Sequence, residues 1–531
     1  MKKQKYIYLL IITGALVALS VLPSCKDDEE LTSEVAVSEL LKTNTDISLT
    51  KNPHGIAPLS AELSFETKLE VRVDLEIKGS LPVYQSWSTY STSHTIPVLG
   101  LYPGCENEIS LTMTCDDGRY AQENFMITTD SLPDYFPQIG IETYQDGMSE
   151  DGMILNTMVY AESDNSRLEP FMFDKNGNVR WWMDLSELNG NGSTVNRLKN
   201  GNLVVLDGNR VLEYSMTGEK VKDLSVPGYD FKHGIIELPY DNLACIATKN
   251  GATIVHNDAE VTSYKDHFVE IQSNSGDIIQ EWNLQDVLDV NREIMAYTSG
   301  DWLHLNSIEY RLYDDTYVLS GRHQGVVKVG RNNDLRWILA PHYNWGDAGH
   351  DGTGISTEPF LLTAVDASGQ PYGEDIQHGN HAASDFDWPW GQHASTLLDN
   401  GNLLLFDNGY NRHFENSEPT HSRAVEYKIE ESDTTVQQVW QYGSARGAEF
   451  YSAFGGDVNL LDNGNRLITS GTVNHNNQHY AVIVEVSYPD NMEVFEAKVY
   501  FQDLEAENDG TPESSDMIYR AEKISLYPET E

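Results

Sequence analysis

One short pattern recurs along this chain and constrains its fold more than any other feature. Each copy has an apolar run, an Asn-Gly turn and a second apolar run, which predicts a tight β-hairpin. Weaker copies, in which the turn has other residues, occupy 237–250 and 309–322. The three clear copies are RLKNGNLVVLDGN (197–209), LLDNGNLLLFDNG (397–409) and LLDNGNRLITSGT (460–472).

Most copies are followed by another strand and another turn, so each unit is a short β-meander. Five or six meanders that repeat in this way are typical of a β-propeller, in which few strand edges stay exposed. No long stretch with helical periodicity competes with this interpretation. We therefore predict an all-β protein whose main domain is a six-bladed β-propeller.

The first part of the chain has a different organisation. A basic, then apolar, segment that ends in LPSC predicts a lipoprotein signal with lipidation at Cys25. Period-two alternation from residue 60 predicts a small β-sandwich. The predicted segments are a signal peptide at 1–24, a lipidated acidic tether at 25–50, a β-sandwich at 51–132 and the propeller at 133–531.

The signal and the charge limit the location and the partners. An exported lipoprotein with Lys26 after the cysteine is expected at the outer membrane, on its periplasmic face or at the cell surface. The chain has 82 acidic and 35 basic residues and a net charge of −47, which excludes nucleic acid as a partner. Contact with the membrane is expected only through the N-terminal lipid.

The remaining cysteines predict structure rather than catalysis. Cys105 and Cys115 flank the segment ENEISLTMT in an exported domain, which favours a local disulfide. Cys245 lies in the apolar run NLACIAT and is expected to be a buried thiol.

Three histidines share one position in the repeat. His393 and His233 each lie nine residues before the Asn of their turn, and His304 opens a third copy. The innermost strand of each propeller blade lines the axial channel, so equal positions predict equal height and convergence at one mouth. A single histidine on a strand is usually structural, but three in register favour a site. His323 lacks this register and is expected at the surface or in a loop.

Other polar and aromatic residues accompany the histidines. Arg322, expected to end an inner strand, places a permanent charge beside the three imidazoles. Asn306 is expected on the same strand face as His304, where it adds a neutral donor. Trp302 and Trp390 precede two of the histidines and are expected to contact a substrate ring.

Two chemistries fit this set of residues. Three histidines suit zinc, but an adjacent arginine disfavours a cation, and the chain has no HExxH or CxxC motif. We therefore predict no metal and no cofactor. The other chemistry is transfer of a sulfuryl or phosphoryl group, in which one imidazole attacks and the other groups bind oxygens or move a proton. No nucleotide-binding loop is present, so a small aromatic donor is expected.

At these residues the chain resembles the bacterial arylsulfate sulfotransferases that do not use the nucleotide donor PAPS. The segments that carry the resemblance are DWLHLNSIEY, SGRHQG and GQHASTLLDNGNLLLFDNG. It implies a six-bladed propeller that moves a sulfuryl group from a phenolic sulfate ester to a phenolic acceptor by a ping-pong route. It also implies that His393 is the nucleophile, that His304, Asn306 and Arg322 bind sulfate or act as acid and base, and that His233 assists them. A homodimer would agree with the family.

Two other functions agree with the same residues. The protein could be a non-catalytic surface propeller that binds a glycan or a sulfated aromatic compound. It could also be an aryl sulfatase, in which water replaces the phenolic acceptor. His393, His304, Arg322 and Asn306 together argue against the first of these, whereas the sequence does not separate transfer from hydrolysis.

Overall fold

Eight segments of the chain are described by the computed structural model of this protein. They are residues 33–160, 166–188, 194–256, 259–294, 300–349, 352–415, 421–502 and 516–528. The predicted signal peptide and Cys25 lie outside these segments. Within them, no helix is both long enough and apolar enough to cross a bilayer.

The first six strands form one hydrogen-bonded sheet with the order β1-β6-β5-β3-β2, and β4 also pairs with β3. The long strand β3 alternates as predicted: Val71, Val73 and Leu75 are buried on one side. The predicted N-terminal β domain is therefore present. Its elements are β1 Ser33–Glu34, α1 Val37–Leu40, β2 Ser48–Lys51, β3 Ser60–Ile77, β4 Val83–Leu99, β5 Glu106–Cys115 and β6 Arg119–Thr128.

The predicted disulfide is wrong. Cys105 and Cys115 are both free thiols, the first exposed and the second buried. Cys105 directly precedes β5 and Cys115 ends it, so a continuous strand separates them. A ten-residue strand spans about 33 Å, far beyond the reach of a disulfide. Cys245 is a buried free thiol, as predicted.

The rest of the chain is also built of strands, joined by a few short helical turns. The strands are β7 Gln138–Tyr144, β8 Met153–Tyr160, β9 Arg167–Leu168, β10 Phe171–Phe173, β11 Val179–Trp182, β12 Val195–Arg197, β13 Leu203–Asp207, β14 Arg210–Tyr214, β15 Lys220–Ser225, β16 Tyr229–Glu237, β17 Asn242–Lys249, β18 Thr253–His256, β19 Ala259–Thr262, β20 His267–Gln272, β21 Ile278–Asn283, β22 Leu305–Arg311, β23 Thr316–Gly321, β24 Gly325–Gly330, β25 Leu335–Leu339, β26 Thr363–Ala364, β27 His393–Leu397, β28 Asn402–Asp407, β29 Arg423–Glu430, β30 Thr435–Tyr442, β31 Asp457–Leu460, β32 Arg466–His475, β33 Gln478–Val486, β34 Glu493–Tyr500 and β35 Met517–Ile524. The helical turns are Pro239–Asp241, Leu284–Asp286, Glu358–Phe360, α2 Glu374–Gln377, Arg412–Phe414 and Ser444–Phe450.

In the described part of the chain, these strands form six sheets of four or five strands and one separate hairpin, β18-β19. The six sheets are β11-β10-β8-β35 with β9, β12-β13-β14-β15, β16-β17-β20-β21, β22-β23-β24-β25, β26-β30-β29-β28-β27 and β31-β32-β33-β34-β7. Strand β35, from the end of the chain, belongs to the first sheet, and β7, from the start, belongs to the last. The first strands of neighbouring sheets contact one another, as β16 contacts β22 and β22 contacts β27.

The Asn-Gly-Asn turns of the repeat have a common structural role. In each turn the glycine has a positive φ, for example 84° at Gly201 and Gly401, where a side chain would be strained. The asparagine that follows the turn donates to a buried glutamate on a neighbouring strand of its own sheet, both in the three clear copies and in the weaker copy at 237–250, whose turn has no glycine. The pairs are Asn202–Glu213 at 2.6 Å, Asn242–Glu270 at 2.8 Å, Asn402–Glu426 at 2.6 Å and Asn465–Glu485 at 2.7 Å. The repeat thus satisfies a buried carboxylate in four sheets.

Candidate active site

The three histidines that share a position in the repeat lie close together. His393 is the first residue of β27, His304 directly precedes β22, and His233 lies within β16. The ring centroids of His233 and His304 are 5.2 Å apart. Tyr519 of β35 joins the group, since its ring centroid lies 5.7 Å from that of His233 and 6.1 Å from that of His393. The predicted convergence of the three histidines is therefore present.

An unusual backbone conformation marks each of these positions. φ is 65° at His233, 55° at His304 and 52° at Ala394, which follows His393. His233 and Ala394 lie where the pairing register of their strands shifts, and His304 directly precedes the shift in β22 between Leu305 and Ser307. A side-chain-bearing residue in this region carries strain of about 1–3 kcal/mol, and such residues cluster at functional sites. The strained bulges turn the imidazoles away from the regular alternation of the strands.

The hydrogen bonds of His393 define which nitrogen carries its proton. Asn408 donates through its amide nitrogen to the carbonyls of Ser452 and Gly455, at 2.8 Å each. Its Oδ1 therefore faces Nδ1 of His393, 2.7 Å away, and accepts the Nδ1 proton. The lone pair of the neutral ring is then on Nε2, where the N–H of Gly455 makes a long contact of 3.4 Å.

The surroundings also keep His393 uncharged. Burial, followed by the nearby Arg322 guanidinium, lowers the pKa of His393 to about 3. At neutral pH the ring is therefore an imidazole with a free lone pair, the form that acts as a nucleophile.

Asn408 is expected to support the reactivity of His393. Because Asn408→Ala removes the acceptor that fixes the Nδ1 proton, we expect kcat to fall about 10- to 100-fold, as when other groups that orient an imidazole are lost. The KM for the donor should change little. Ser422→Ala is the matched control, because Ser422 donates to the backbone carbonyls of Asn408 and Ser452 rather than to the imidazole. Steady-state rates for both variants test this, and equal losses would contradict an orienting role.

His233 directs a second nitrogen into the site. The hydroxyl of Tyr519 lies 3.0 Å from its Nδ1, and burial raises the pKa of Tyr519 to about 12, so the phenol keeps its proton. Burial, assisted by His304 and Lys265, lowers the pKa of His233 well below its usual range. Among the described residues, Nε2 of His233 has no hydrogen-bond partner although it is buried. With the phenol donating to Nδ1, this nitrogen presents an unused N–H.

His304 belongs to a compact group of charged residues. Its Nδ1 lies 2.6 Å from the carboxylate of Asp301, and Nζ of Lys265 lies 3.0 Å from the same nitrogen. His323 packs against His304 with ring centroids 5.0 Å apart and donates from Nδ1 to the Asp301 carbonyl at 2.6 Å. Burial, then Lys265, lowers the pKa of His304 well below its usual range.

His323 lies in a turn, which agrees with the expectation of a loop, but it is not at the surface. It is only 4% exposed and faces the site. The three-residue turn between β23 and β24 places it beside Arg322, outside the register that the repeat defines for the other histidines.

Arg322 lies beside the histidines, but a different strand from the predicted one places it there. It follows β23, the second strand of its sheet rather than the inner strand, and its backbone N–H donates to the carbonyl of His304 at 3.0 Å. Its guanidinium donates to the Ala453 carbonyl at 3.1 Å and lies 5.1 Å from the ring centre of Tyr410. In the described structure its buried Nε has no partner, so this cation keeps a donor for an anion.

The predicted role of Asn306 as an oxyanion donor is not supported by its contacts. Its amide donates to the carbonyl of Gln392, next to His393, at 2.8 Å, and the residue is fully buried. Because the strand register shifts between Leu305 and Ser307, Asn306 does not share the face of His304 as simple alternation predicts. It instead connects the strand of one histidine to the strand of another.

The two tryptophans predicted to contact a substrate are core residues. Trp302 is fully buried and donates to Asp266 at 3.0 Å, and Trp390 is 1% exposed and donates to Asp387 at 3.3 Å. Both pack inside apolar clusters between sheets. The aromatic residues that line the site are instead Tyr519 and the 37% exposed Tyr410.

Sequence reasoning missed several residues of the site. Tyr519 lies on the last strand, which carries no copy of the repeat. Asn408 lies in the second DNG of LLDNGNLLLFDNG, where it is indistinguishable from a turn residue. Lys265 and Asp301 lie in loops. Only His323 could have been identified from the sequence, because it is adjacent to Arg322 in SGRHQG.

The site holds its own positive charge. Asp301, His304 and His323 have ligand atoms within 4.8 Å of one another, a spacing that a metal ion would require. The ammonium of Lys265, however, already lies 3.2 Å from the Asp301 carboxylate and 3.0 Å from His304. We therefore assign the positive charge between Asp301 and His304 to the ammonium of Lys265.

An all-β framework that surrounds a neutral imidazole with arginine, lysine and unused N–H groups defines a class of enzyme that transfers an anionic group. Comparison with known proteins specifies the class. Residues 140–507 match the family model described as Arylsulfotransferase (ASST), and residues 48–130 match the Arylsulfotransferase Ig-like domain. The chain belongs to the arylsulfotransferase family.

Two curated relatives agree with this assignment. The arylsulfate sulfotransferase AssT of Escherichia coli O6:H1 is 28% identical over 525 residues, covering 78% of this chain and 85% of that protein. The enzyme of the same name from Lelliottia amnigena is 27% identical over 528 residues, with the same coverage. Among solved structures, the WD40 domain of Neurospora crassa Pan2 is 8% identical, covers 70% of this chain and 97% of that domain, and has a TM-score of 0.30. That likeness is too low to support an argument.

Proposed function

We propose that this enzyme moves a sulfuryl group from a phenolic sulfate ester to a phenolic acceptor through a covalent intermediate on His393. One observation carries the proposal: the lone pair of a buried, neutral imidazole lies among groups that bind an anion. The family assignment and the names of the two relatives support the choice of sulfate ester as substrate.

In the first half-reaction, Nε2 of His393 attacks the sulfur of the donor. The S–N bond forms while the bond between sulfur and the aryl oxygen breaks, and the aryl oxygen departs with the electron pair. The Nδ1 proton stays on the ring, where Asn408 accepts its hydrogen bond and stabilises the developing positive charge. Arg322 and the free N–H of His233 bind the sulfuryl oxygens, whose charge must be neutralised for the attack.

In the second half-reaction, the acceptor phenol occupies the place that the first phenol left. Its oxygen attacks the sulfur and loses the phenolic proton, which balances the proton gained by the first phenolate after it leaves. The S–N bond breaks, and His393 regains its lone pair. Because the two phenols are chemically alike, one site with one aromatic wall, formed by Tyr519 and Tyr410, serves both of them.

We further propose that the six sheets are the blades of one propeller. The contacts between successive inner strands support this, as does the entry of β35 into the first sheet and of β7 into the last. A donation from Arg197 of β12 to the Leu526 carbonyl, which follows β35, links the first and second sheets. Because β1 Ser33–Glu34 and β2 Ser48–Lys51 pair with strands of the first sheet, we propose a tether that ends before Ser33 rather than at residue 50. The proposed sandwich then extends to residue 132, and the propeller starts at 133.

The proposed location rests on the sequence. The basic and apolar N-terminus ending in LPSC supports a signal peptide of residues 1–24, lipidation of Cys25 and attachment to the outer membrane. A homodimer is proposed from the family resemblance.

Initial-rate kinetics test the proposed reaction. If His393 holds the group between two steps, donor and acceptor never share the site, and plots at several fixed acceptor concentrations should be parallel. 4-Nitrophenyl sulfate as donor and phenol as acceptor allow both nitrophenol release and the new sulfate ester to be followed. Intersecting lines would contradict the covalent route, and release of nitrophenol without ester formation would indicate a sulfatase.

A further inference from the structure

We propose that Lys265 is the acid–base residue of the transfer: its ammonium protonates the departing phenolate, and its amine recovers a proton from the accepting phenol. This inference rests on the proposed function and names the group that completes it. The two half-reactions balance, since the proton lost by Lys265 in the first returns from the acceptor in the second.

The first support comes from the contacts of Lys265. Its Nζ lies 3.0 Å from Nδ1 and 3.4 Å from Nε2 of His304, and 3.2 Å from the carboxylate of Asp301. Asp301 also accepts the Nδ1 proton of His304 at 2.6 Å. Because Nδ1 of His304 gives its proton to Asp301, the ammonium donates to the Asp301 carboxylate and faces the Nε2 lone pair of His304. Its remaining N–H can be directed to the substrate. Lys265 is also mostly enclosed, with 17% of its side chain exposed.

The second support comes from its backbone. Lys265 has a φ of 53°, in the same left-handed region as His233 and His304. Hydrogen bonds on both sides hold this strained conformation: its N–H donates to Thr248 at 3.0 Å and its carbonyl accepts from Leu305, the residue after His304, at 3.0 Å. The neighbouring Asp266 anchors the loop through Trp302 and His267. Strain maintained in this way is typical of a residue whose position matters for function.

The third support is that the histidines are poor acids. His304 and His233 are neutral at pH 7, because burial keeps both of their pKa values well below 6.5. Lys265 faces Asp301, Lys232 and Arg322, and burial lowers its pKa from the usual value of 10.5. The ammonium is therefore a stronger acid than that of an exposed lysine, and so a better proton donor to a departing phenolate. A proton donor works best when its pKa is close to that of the group it serves.

The leaving group provides the test. A general acid matters most for a poor leaving group, so Lys265→Met should lower kcat/KM about 10²-fold with phenyl sulfate and less than about 10-fold with the far more acidic 4-nitrophenol as leaving group. Lys265→Arg keeps the positive charge but does not release a proton near neutral pH. It should show the same contrast between the two donors.

A matched control separates the proton from the charge. Lys232 interacts electrostatically with Lys265 and lies 3.8 Å from Asp230, so Lys232→Met removes a nearby charge without removing the contacts to His304. We expect it to affect both donors equally. Recovery of phenyl sulfate turnover in Lys265→Arg, or equal losses on both donors in Lys265→Met, would overturn the proposal.

The same experiment distinguishes this inference from the proposed function. If Lys265→Met still accepts a sulfuryl group on His393 from 4-nitrophenyl sulfate, as we expect, the covalent route stands whatever the role of Lys265. If the wild-type enzyme itself forms no such adduct, the proposed function fails, and Lys265 has no leaving phenolate to protonate.

Discussion

Replacing His393 with asparagine is expected to abolish sulfuryl transfer while leaving the protein folded. The new amide can still donate to Oδ1 of Asn408, as Nδ1 does at 2.7 Å, so the buried acceptor stays satisfied. No nitrogen lone pair remains to attack sulfur. We expect kcat to fall by at least about 10⁴-fold, the scale on which enzymes lose activity when a nucleophile is removed.

His479→Asn is the appropriate control for this variant. His479 is also buried, at 7% exposure, and hydrogen-bonds to Thr472 in the last sheet. Both variants should unfold at similar temperatures, but only His393→Asn should be inactive. A His393→Asn enzyme with near wild-type turnover would remove the proposed nucleophile.

Arg322→Met is expected to have the second largest effect. The guanidinium is the permanent cation nearest to where sulfuryl charge increases, and its buried Nε has no other partner among the described residues. Losing one such donor costs about 10²- to 10³-fold in kcat in other enzymes, and we expect the upper end because a full charge is lost.

Two further variants define the role of Arg322. Arg322→Lys should recover only part of the rate, since an ammonium does not reproduce the planar fork of donors. Arg336→Met provides a control for charge alone, because Arg336 is half exposed and pairs only with Asp334 in its described contacts. Steady-state rates with a single donor compare the three. A wild-type kcat in Arg322→Met would contradict its role in the transition state.

Much of the fold follows from the sequence because turn chemistry is local. Gly201 and Gly401 occupy positive-φ positions that only a few residue types adopt easily, and the flanking apolar runs form the strands that the repeat predicts. The place of β35 could not be predicted in this way. It pairs with β8, which is distant in sequence, and no repeated motif marks it.

The site could be predicted where it follows the repeat. The prediction was wrong where the local geometry departs from the repeat. His393 and His304 lie at the start of β27 and β22, which are edge strands of their sheets. Asn306 was misplaced because a register shift breaks the alternation of β22. Trp302 was assigned to the substrate because an aromatic residue next to a histidine has the same appearance in sequence whether it faces a ligand or the core. The hydrogen bond from Trp302 to Asp266 shows that this tryptophan faces the core.

The most direct test of this account is to incubate the enzyme with 4-nitrophenyl sulfate alone and to measure the mass of its peptides at neutral pH. We predict one added sulfuryl group, located on His393 in the peptide that contains GQHAST and absent from His393→Asn. Addition of phenol should remove it and produce the sulfate ester. A turning-over enzyme with no adduct, or with the sulfuryl group on another residue, would contradict the central claim.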